Sequence, residues 1–291
     1  MAQTPVLEVN IHLPLHFCLV GGDARQLYLA DALRADRHRV TLCHLPGAPL
    51  FAEHLSGADC VLLPMPLIGA DGALFAPLMQ TRLSLSTVLD ALHPGQRIFA
   101  GKVSSAAHSL AAERGLVIHD YLLQEELAIA NAVPTAEGAL QLAMEHLPGV
   151  IHKSRVLVAG FGRVGQCTAL RFQALGARVS VLARNPAQLA LADTMGCTPI
   201  PLPAFSRDPS DWDLVINTVP SPIFNRERLE QLGSALLLEL ASPPGGFDRQ
   251  SAKELELTLI DAPGLPGKVA PAAAARAIQS CIYHMLEESK F

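Results

Sequence analysis

The stretch Val156-Leu-Val-Ala-Gly160-Phe-Gly-Arg-Val-Gly165 decides how the fold is read. Four apolar residues run into a Gly-x-Gly-x-x-Gly turn. A helix-like run to Leu175 follows, then a second apolar strand, Arg178-Val-Ser-Val-Leu182. Glycines are common, so the fingerprint alone is weak. Strand before, helix after and a second strand beyond supply the context that a dinucleotide-binding turn requires. The three glycines serve different ends. Gly160 permits the tight turn, Gly162 lets a pyrophosphate approach the backbone, and Gly165 allows close helix–strand packing. The helix start adds free N–H groups and a positive dipole end. Gly160, Phe161, Gly162, Arg163, Val164 and Gly165 are therefore assigned to a cofactor phosphate loop.

The second strand ends at Leu182-Ala-Arg184-Asn185. A carboxylate here would hold the ribose hydroxyls of NAD, whereas the chain carries Arg184. A guanidinium clamps a 2′-phosphate with paired hydrogen bonds, so NADP is favoured over NAD. A further apolar strand runs into Asn217-Thr218-Val219-Pro220, a turn expected to pass beside the cofactor.

The same grammar occurs earlier in the chain. His16 to Val20 leads into Gly21-Gly22-Asp23, a helix-like run to about Ala35 and the strand Arg39-Val-Thr-Leu-Cys43. Short apolar runs without alternation read as strands buried on both faces of a parallel sheet. Further candidates are 60–63, 97–100 and 116–118, then 213–217, 235–240 and 257–260. The fold class expected is α/β: two Rossmann-like doubly wound parallel-sheet domains. The boundaries expected are 1–148 for an N-terminal substrate domain, rejoined by a C-terminal helix over 268–291, and 149–267 for the nucleotide domain. Pro134 is expected to kink or restart the long helical segment Leu122–Leu147, and Pro271 to open the last helix.

Composition narrows the class. Half of the 291 residues are hydrophobic and 17% are charged, with a net charge of −5. No Lys/Arg run offers a nucleic-acid stripe. The first twenty residues lack a leader pattern, and no apolar run approaches the roughly 20 residues needed to span a bilayer. A cytoplasmic protein is expected. The six cysteines are scattered without a Cys-x-x-Cys pair and read as reduced, buried thiols. No dedicated metal site is expected.

Several stretches carry a more specific likeness: Val20-Gly-Gly-Asp-Ala-Arg-Gln-Leu27, Ala128-Ile-Ala-Asn-Ala-Val-Pro-Thr-Ala-Glu-Gly138, Val158-Ala-Gly-Phe-Gly-Arg-Val-Gly165, Ile216-Asn-Thr-Val-Pro-Ser221, Glu239-Leu-Ala-Ser-Pro-Pro-Gly-Gly246 and Ala262-Pro-Gly-Leu-Pro-Gly-Lys-Val-Ala-Pro271. In order and spacing they resemble the A subunits of dipicolinate synthase, over almost the whole chain. Two positions depart from that pattern: Pro243 stands where a basic residue is frequent, and an acidic residue common near Leu123 is missing.

The resemblance implies two Rossmann-like domains as in the 2-hydroxyacid dehydrogenases, with the active site in the cleft between them. It implies a nicotinamide cofactor and a flavoprotein-like B subunit of dipicolinate synthase, together with further copies of the chain itself. The implied reaction is oxidation of dihydrodipicolinate, derived from 4-hydroxy-tetrahydrodipicolinate, to dipicolinate for endospores, in the mother-cell cytoplasm. Neither nucleic acid nor membrane is an expected partner.

A dicarboxylate substrate calls for cations and N–H donors. Arg25, oriented by Asp23 at a helix start, is expected to hold one carboxylate. Lys102, Ser104 and Ser105 are candidates for the second, and Thr135 lies beside the expected cleft. Proton removal from the ring calls for a base, for which the candidates are Glu137, read as a buried carboxylate, Asp120 and His119. Ala241, Ser242, Gly264 and Pro266 lie in loops expected to approach the cofactor. Two other readings stay open: a stand-alone NADP-dependent hydroxy- or amino-acid dehydrogenase, and a non-catalytic nucleotide-binding subunit. The lack of any histidine between positions 153 and 283 argues against the first.

Overall fold

The computed structural model describes residues 14–50, 52–207 and 211–288. Most of the stretch read for a leader, and the last three residues of the 268–291 helix, lie outside them. The chain forms two compact units, one running to Ala130 and resuming at Ala270, the other Asn131–Val269. The sequence placed these divisions at 148/149 and 267/268.

The first unit contains β1 (His16–Val20), α1 (Ala24–Ala35), β2 (Arg39–Cys43), α2 (Ala52–Ser56), β3 (Cys60–Leu62), α3 (Leu85–Leu89), β4 (Arg97–Ala100), α4 (Ser105–Ala112) and β5 (Ile118–Asp120). A 3-10 turn, Tyr121–Leu123, leads into α5 (Glu125–His146), within which the first division falls. The five strands are parallel in the order β2-β1-β3-β4-β5, so the direction of winding reverses between β1 and β3. Residues of β1 alternate between two cores. Cys18 and Val20 face one side of the sheet with Val61, Val88 and Ile98. Phe17 and Leu19 face the other with Leu29, Leu33, Ile278 and Ile282. Burial of both faces explains the unbroken apolar run.

The second unit contains β6 (Arg155–Ala159), α6 (Arg163–Ala174), β7 (Arg178–Ala183), α7 (Pro186–Thr194), β8 (Thr198–Pro201), β9 (Leu214–Asn217), α8 (Arg226–Glu230), β10 (Leu236–Glu239), α9 (Arg249–Glu254), β11 (Leu259–Asp261) and α10 (Leu265–Val269). Its parallel order, β11-β10-β9-β6-β7-β8, is that of a dinucleotide-binding sheet. Val156 and Val158 enter one core with Phe172, while Leu157 and Ala159 enter the other with Phe224.

The last helix, α11 (Pro271–Glu288), returns to the first unit and packs along α1. Gln279 Nε2 and the Tyr283 hydroxyl both donate to Asp36 Oδ2, at 2.8 and 2.9 Å, and tie its polar edge to the end of α1.

Two expectations about local structure change. Pro134 does not restart α5, which is continuous from Glu125 to His146. Thr135 Oγ1 donates to the Asn131 carbonyl one turn back at 2.7 Å, beside the position where proline brings no N–H. The strand β8 went unread because Pro199 and Pro201 interrupt its pattern. It lies at the sheet edge, where a missing donor is tolerated.

Candidate functional site

The glycine turn after β6 is built as its residues require. Gly160 has φ +89°, and a Cβ there would meet Thr218 Oγ1 at 2.6 Å. A Cβ on Gly165 would lie 2.2 Å from the Gly160 carbonyl oxygen, so α6 touches the turn directly. Gly162 differs: a Cβ on it would meet nothing within 4 Å. It is the N-cap of α6 and supplies no side-chain cap to the helix N–H groups. Its open side faces a cleft of about 600 Å³ at the carboxyl ends of β6, β7, β9 and β10. The cleft has the shape and donors for a pyrophosphate: a small-residue approach, an uncapped helix start and no competing carboxylate along its lining.

Phe161, Arg163, Val164, Arg184, Thr218, Val219, Pro220, Ala241 and Ser242 all line this cleft with the glycines. Arg184 is exposed and makes no hydrogen bond or ion pair among the described residues. Three sequence assignments fall elsewhere. Asn217 is fully buried and does not line the cleft, because its carboxamide is turned inward to Glu239 and Val219. Gly264 and Pro266 do not line it either. Between them Leu265 packs onto α5, its side chain 3.1 Å from where a Gly138 Cβ would sit, so this loop anchors α10. The sequence missed Asn185 and Gln188, which line the Arg184 side of the cleft. Asn185 caps α7 by accepting the Ala187 N–H at 2.8 Å, and the Asn185-Pro186 pair was its legible signal.

In the first unit, candidates lie at the carboxyl ends of β1, β4 and β5. Gly21 (φ +62°) and Gly22 (φ +92°) turn the chain out of β1. Asp23 caps α1 by accepting the Arg25 N–H at 3.0 Å, and its carboxylate takes the Arg25 guanidinium at 2.8–3.2 Å. Arg25 also donates to the Met65 carbonyl and is only 8% exposed. The first turn of α1 and its arginine thus already hold an anion, the Asp23 carboxylate.

Asp120 pins the neighbouring loop. It accepts the N–H groups of Lys102 (3.1 Å), Val103 (2.7 Å) and Leu122 (2.9 Å). Lys102 sits at φ +59° with its side chain exposed. Ser104 caps α4 through the Ala107 N–H, and Ser105 opens that helix. His119 precedes Asp120 on β5 and so faces the opposite side of the sheet. Its ring lies 5.6 Å from that of Phe99, and burial pushes its imidazole below the ordinary value of 6.5.

Glu137 is not the buried carboxylate that the sequence suggests: its side chain is 57% exposed and paired with Arg171 at 3.4 Å. On α5 the positions Ala136, Ala139 and Ala143 point into the core, which turns Glu137 outward. Thr135 serves the helix backbone rather than the expected cleft.

Among the described residues no helix is long and apolar enough to cross a membrane. The family model for the N-terminal domain of the dipicolinate synthase A subunit matches residues 16–122. The dipicolinate synthase A subunit of Bacillus subtilis (strain 168) is 32% identical over 289 residues, covering 94% of this chain and 96% of that protein. The crystal structure of the Bacillus subtilis A chain superposes with a TM-score of 0.83 at 31% identity, over 95% of this chain and 97% of that one. The A subunit from Bacillus halodurans gives 0.85 at 28% identity, over 94% and 97%. The D-lactate dehydrogenase of Escherichia coli, 14% identical with a TM-score of 0.61 over 95% and 98%, shares the fold. By sequence and architecture together, the chain belongs to the family of dipicolinate synthase A subunits.

Proposed function

We propose that the chain is an oxidoreductase that uses a nicotinamide dinucleotide, NADP in preference to NAD, to oxidise dihydrodipicolinate to dipicolinate. The observation that carries this reading is the cradle at Gly160–Gly165, where Gly162 opens on a 600 Å³ cleft and the start of α6 has no side-chain cap. The relatives' name, dipicolinate synthase, supports the product.

When bound, the nicotinamide supplies the acceptor for a hydride from the ring. The chain's own residues do the rest. The N–H groups at the start of α6 receive the pyrophosphate, and Arg184 with Asn185 and Gln188 receives the adenosine ribose and its phosphate. Thr218, Val219, Pro220, Ala241 and Ser242 are left to border the nicotinamide half. Lys102 is an exposed cation for a substrate carboxylate, and Arg25 is assigned to the other through Nη1, the guanidinium nitrogen that Asp23 and the Met65 carbonyl do not engage among the described residues. Of the three proton acceptors, His119 is the best suited. Burial favours its neutral, proton-accepting form at pH 7. Aromatisation drives the reaction, so positioning carries much of the catalysis.

A partner B subunit belongs to this reading, because the relatives are named as A subunits. So does a role in endospore formation in the mother-cell cytoplasm. The test mixes the purified chain with NADP and freshly made 4-hydroxy-tetrahydrodipicolinate, following reduced nicotinamide and pyridine absorbance together. Both rise in step if the chain is the oxidising catalyst. If neither rises until a flavoprotein partner is added, the chain is a nucleotide-holding subunit instead.

A further inference from the structure

Three adjacent strands of the second sheet end in polar residues that lie side by side in register. Glu239 on β10 is paired with Asn217 on β9 and with Asp261 on β11. Glu239 is 1% exposed, and Asn217 is completely buried. A buried carboxylate is costly unless donors satisfy it, and four do so here. Oε1 accepts from Asn217 Nδ2 at 2.6 Å and from the Ala241 N–H at 3.0 Å. Oε2 accepts from the Gly246 N–H at 2.7 Å and the Phe247 N–H at 3.4 Å.

Asn217 extends this knot to the neighbouring loop. Its Nδ2 also donates to the Val219 carbonyl at 2.9 Å, and its Oδ1 accepts the Val219 N–H at 3.1 Å. The fit is close on every side. A Cβ on Gly245 would come within 2.7 Å of Glu239 Oε2, and one on Gly246 within 2.5 Å of Asn217 Nδ2. Arg249 closes the far edge by donating to the Pro244 carbonyl at 2.8 Å and pairing with Asp261 at 2.6 Å.

Neither Glu239 nor Asn217 lines the nucleotide cleft, yet the two loops they hold do so through Val219 and Ala241. We propose that Glu239, acting in part through Asn217, is a positioning residue that sets both strand-end loops of the cleft for the nicotinamide half of the dinucleotide. This rests on the dinucleotide reading above. The Arg184 side takes the adenosine half, and none of Glu239's hydrogen bonds among the described residues reaches that side. Each carboxylate oxygen meets two donors. Glutamine would therefore turn an NH₂ toward two N–H groups in either orientation of its amide.

The test compares wild type, Glu239→Gln and Asn217→Ala by calorimetric titration with NADP and with adenosine 2′,5′-bisphosphate, which represents the adenosine half alone. Both variants are expected to lose NADP affinity, about tenfold or more for Glu239→Gln, while binding the fragment as wild type does. NADP affinity unchanged in both variants overturns the proposal. So does an equal loss for NADP and fragment, which would mean that the whole unit depends on Glu239. A wild type that binds neither compound overturns the dinucleotide reading itself, and is told apart because it needs no variant.

Discussion

At the level of single residues, Arg184 and His119 carry the strongest claims. Arg184 is exposed at the end of β7 beside the cleft. Its replacement by Asp exchanges an attraction for the 2′-phosphate with a repulsion. NADP affinity should fall by about a hundredfold, the worth of a charge-assisted contact of about 3 kcal/mol. NAD affinity should hold or rise. Equal losses in titrations with both nucleotides would remove the phosphate assignment. His119 and Glu137 can be separated by kinetics. His119→Gln should lower kcat by a hundredfold or so, within the usual range for a lost general base, and leave nucleotide affinity unchanged. Glu137→Gln should leave kcat near wild type, because that carboxylate faces solvent against Arg171. The reverse pattern would make Glu137 the base.

Among the elements, the turn between β6 and α6 offers a paired test. Gly165→Ala would drive a methyl into the Gly160 carbonyl at 2.2 Å, against backbone that cannot yield cheaply. It should lower the thermal midpoint and abolish nucleotide binding. Gly162→Ala meets no protein atom, so it should leave the midpoint of the free protein unchanged and still weaken binding. Thermal melts with and without NADP read both effects. If Gly162→Ala binds normally, the pyrophosphate lies elsewhere. This turn was legible from sequence because a positive φ at Gly160 and close backbone contact at Gly165 restrict those two positions to glycine. The strands were legible because burial on both faces leaves no polar residue in Val156–Ala159. What escaped the sequence depends on contacts distant along the chain. The outward turn of Glu137 is set by which face of α5 meets a core. The inward turn of Asn217 is set by Glu239, on the neighbouring strand. Gly264 and Pro266 looked like a cofactor loop, but only the packing of Leu265 against Gly138 reveals that this segment anchors a helix.

For the molecule as a whole, the first unit should confer sensitivity to acid. His38 accepts the Leu15 N–H at 3.1 Å and stands edge-on to Phe17 and Tyr283. Burial pushes its imidazole below 6.5, against a smaller opposing pull from Asp36. His119 is lowered for the same reason. In both cases the unfolded chain takes up a proton at a pH where the folded chain does not. Stability is therefore fully present above the ordinary value of 6.5 and falls as pH drops below it. Urea midpoints at about pH 5 and about pH 7.5 should differ, and the difference should shrink in His38→Asn, whose carboxamide oxygen can stand where Nδ1 accepts the Leu15 N–H. An undiminished difference would assign the acid sensitivity to other groups.

On the reading proposed above, this chain itself moves a hydride from the dihydropyridine dicarboxylate to a nicotinamide nucleotide. Turnover of ring-deuterated substrate by the purified chain with NADP, followed by mass spectrometry of the nucleotide, examines that transfer directly. The expected product is reduced nucleotide carrying one deuterium for each dipicolinate formed. Dipicolinate formed with the displaced deuterium released to water, and no label in the nucleotide, would rule the transfer out.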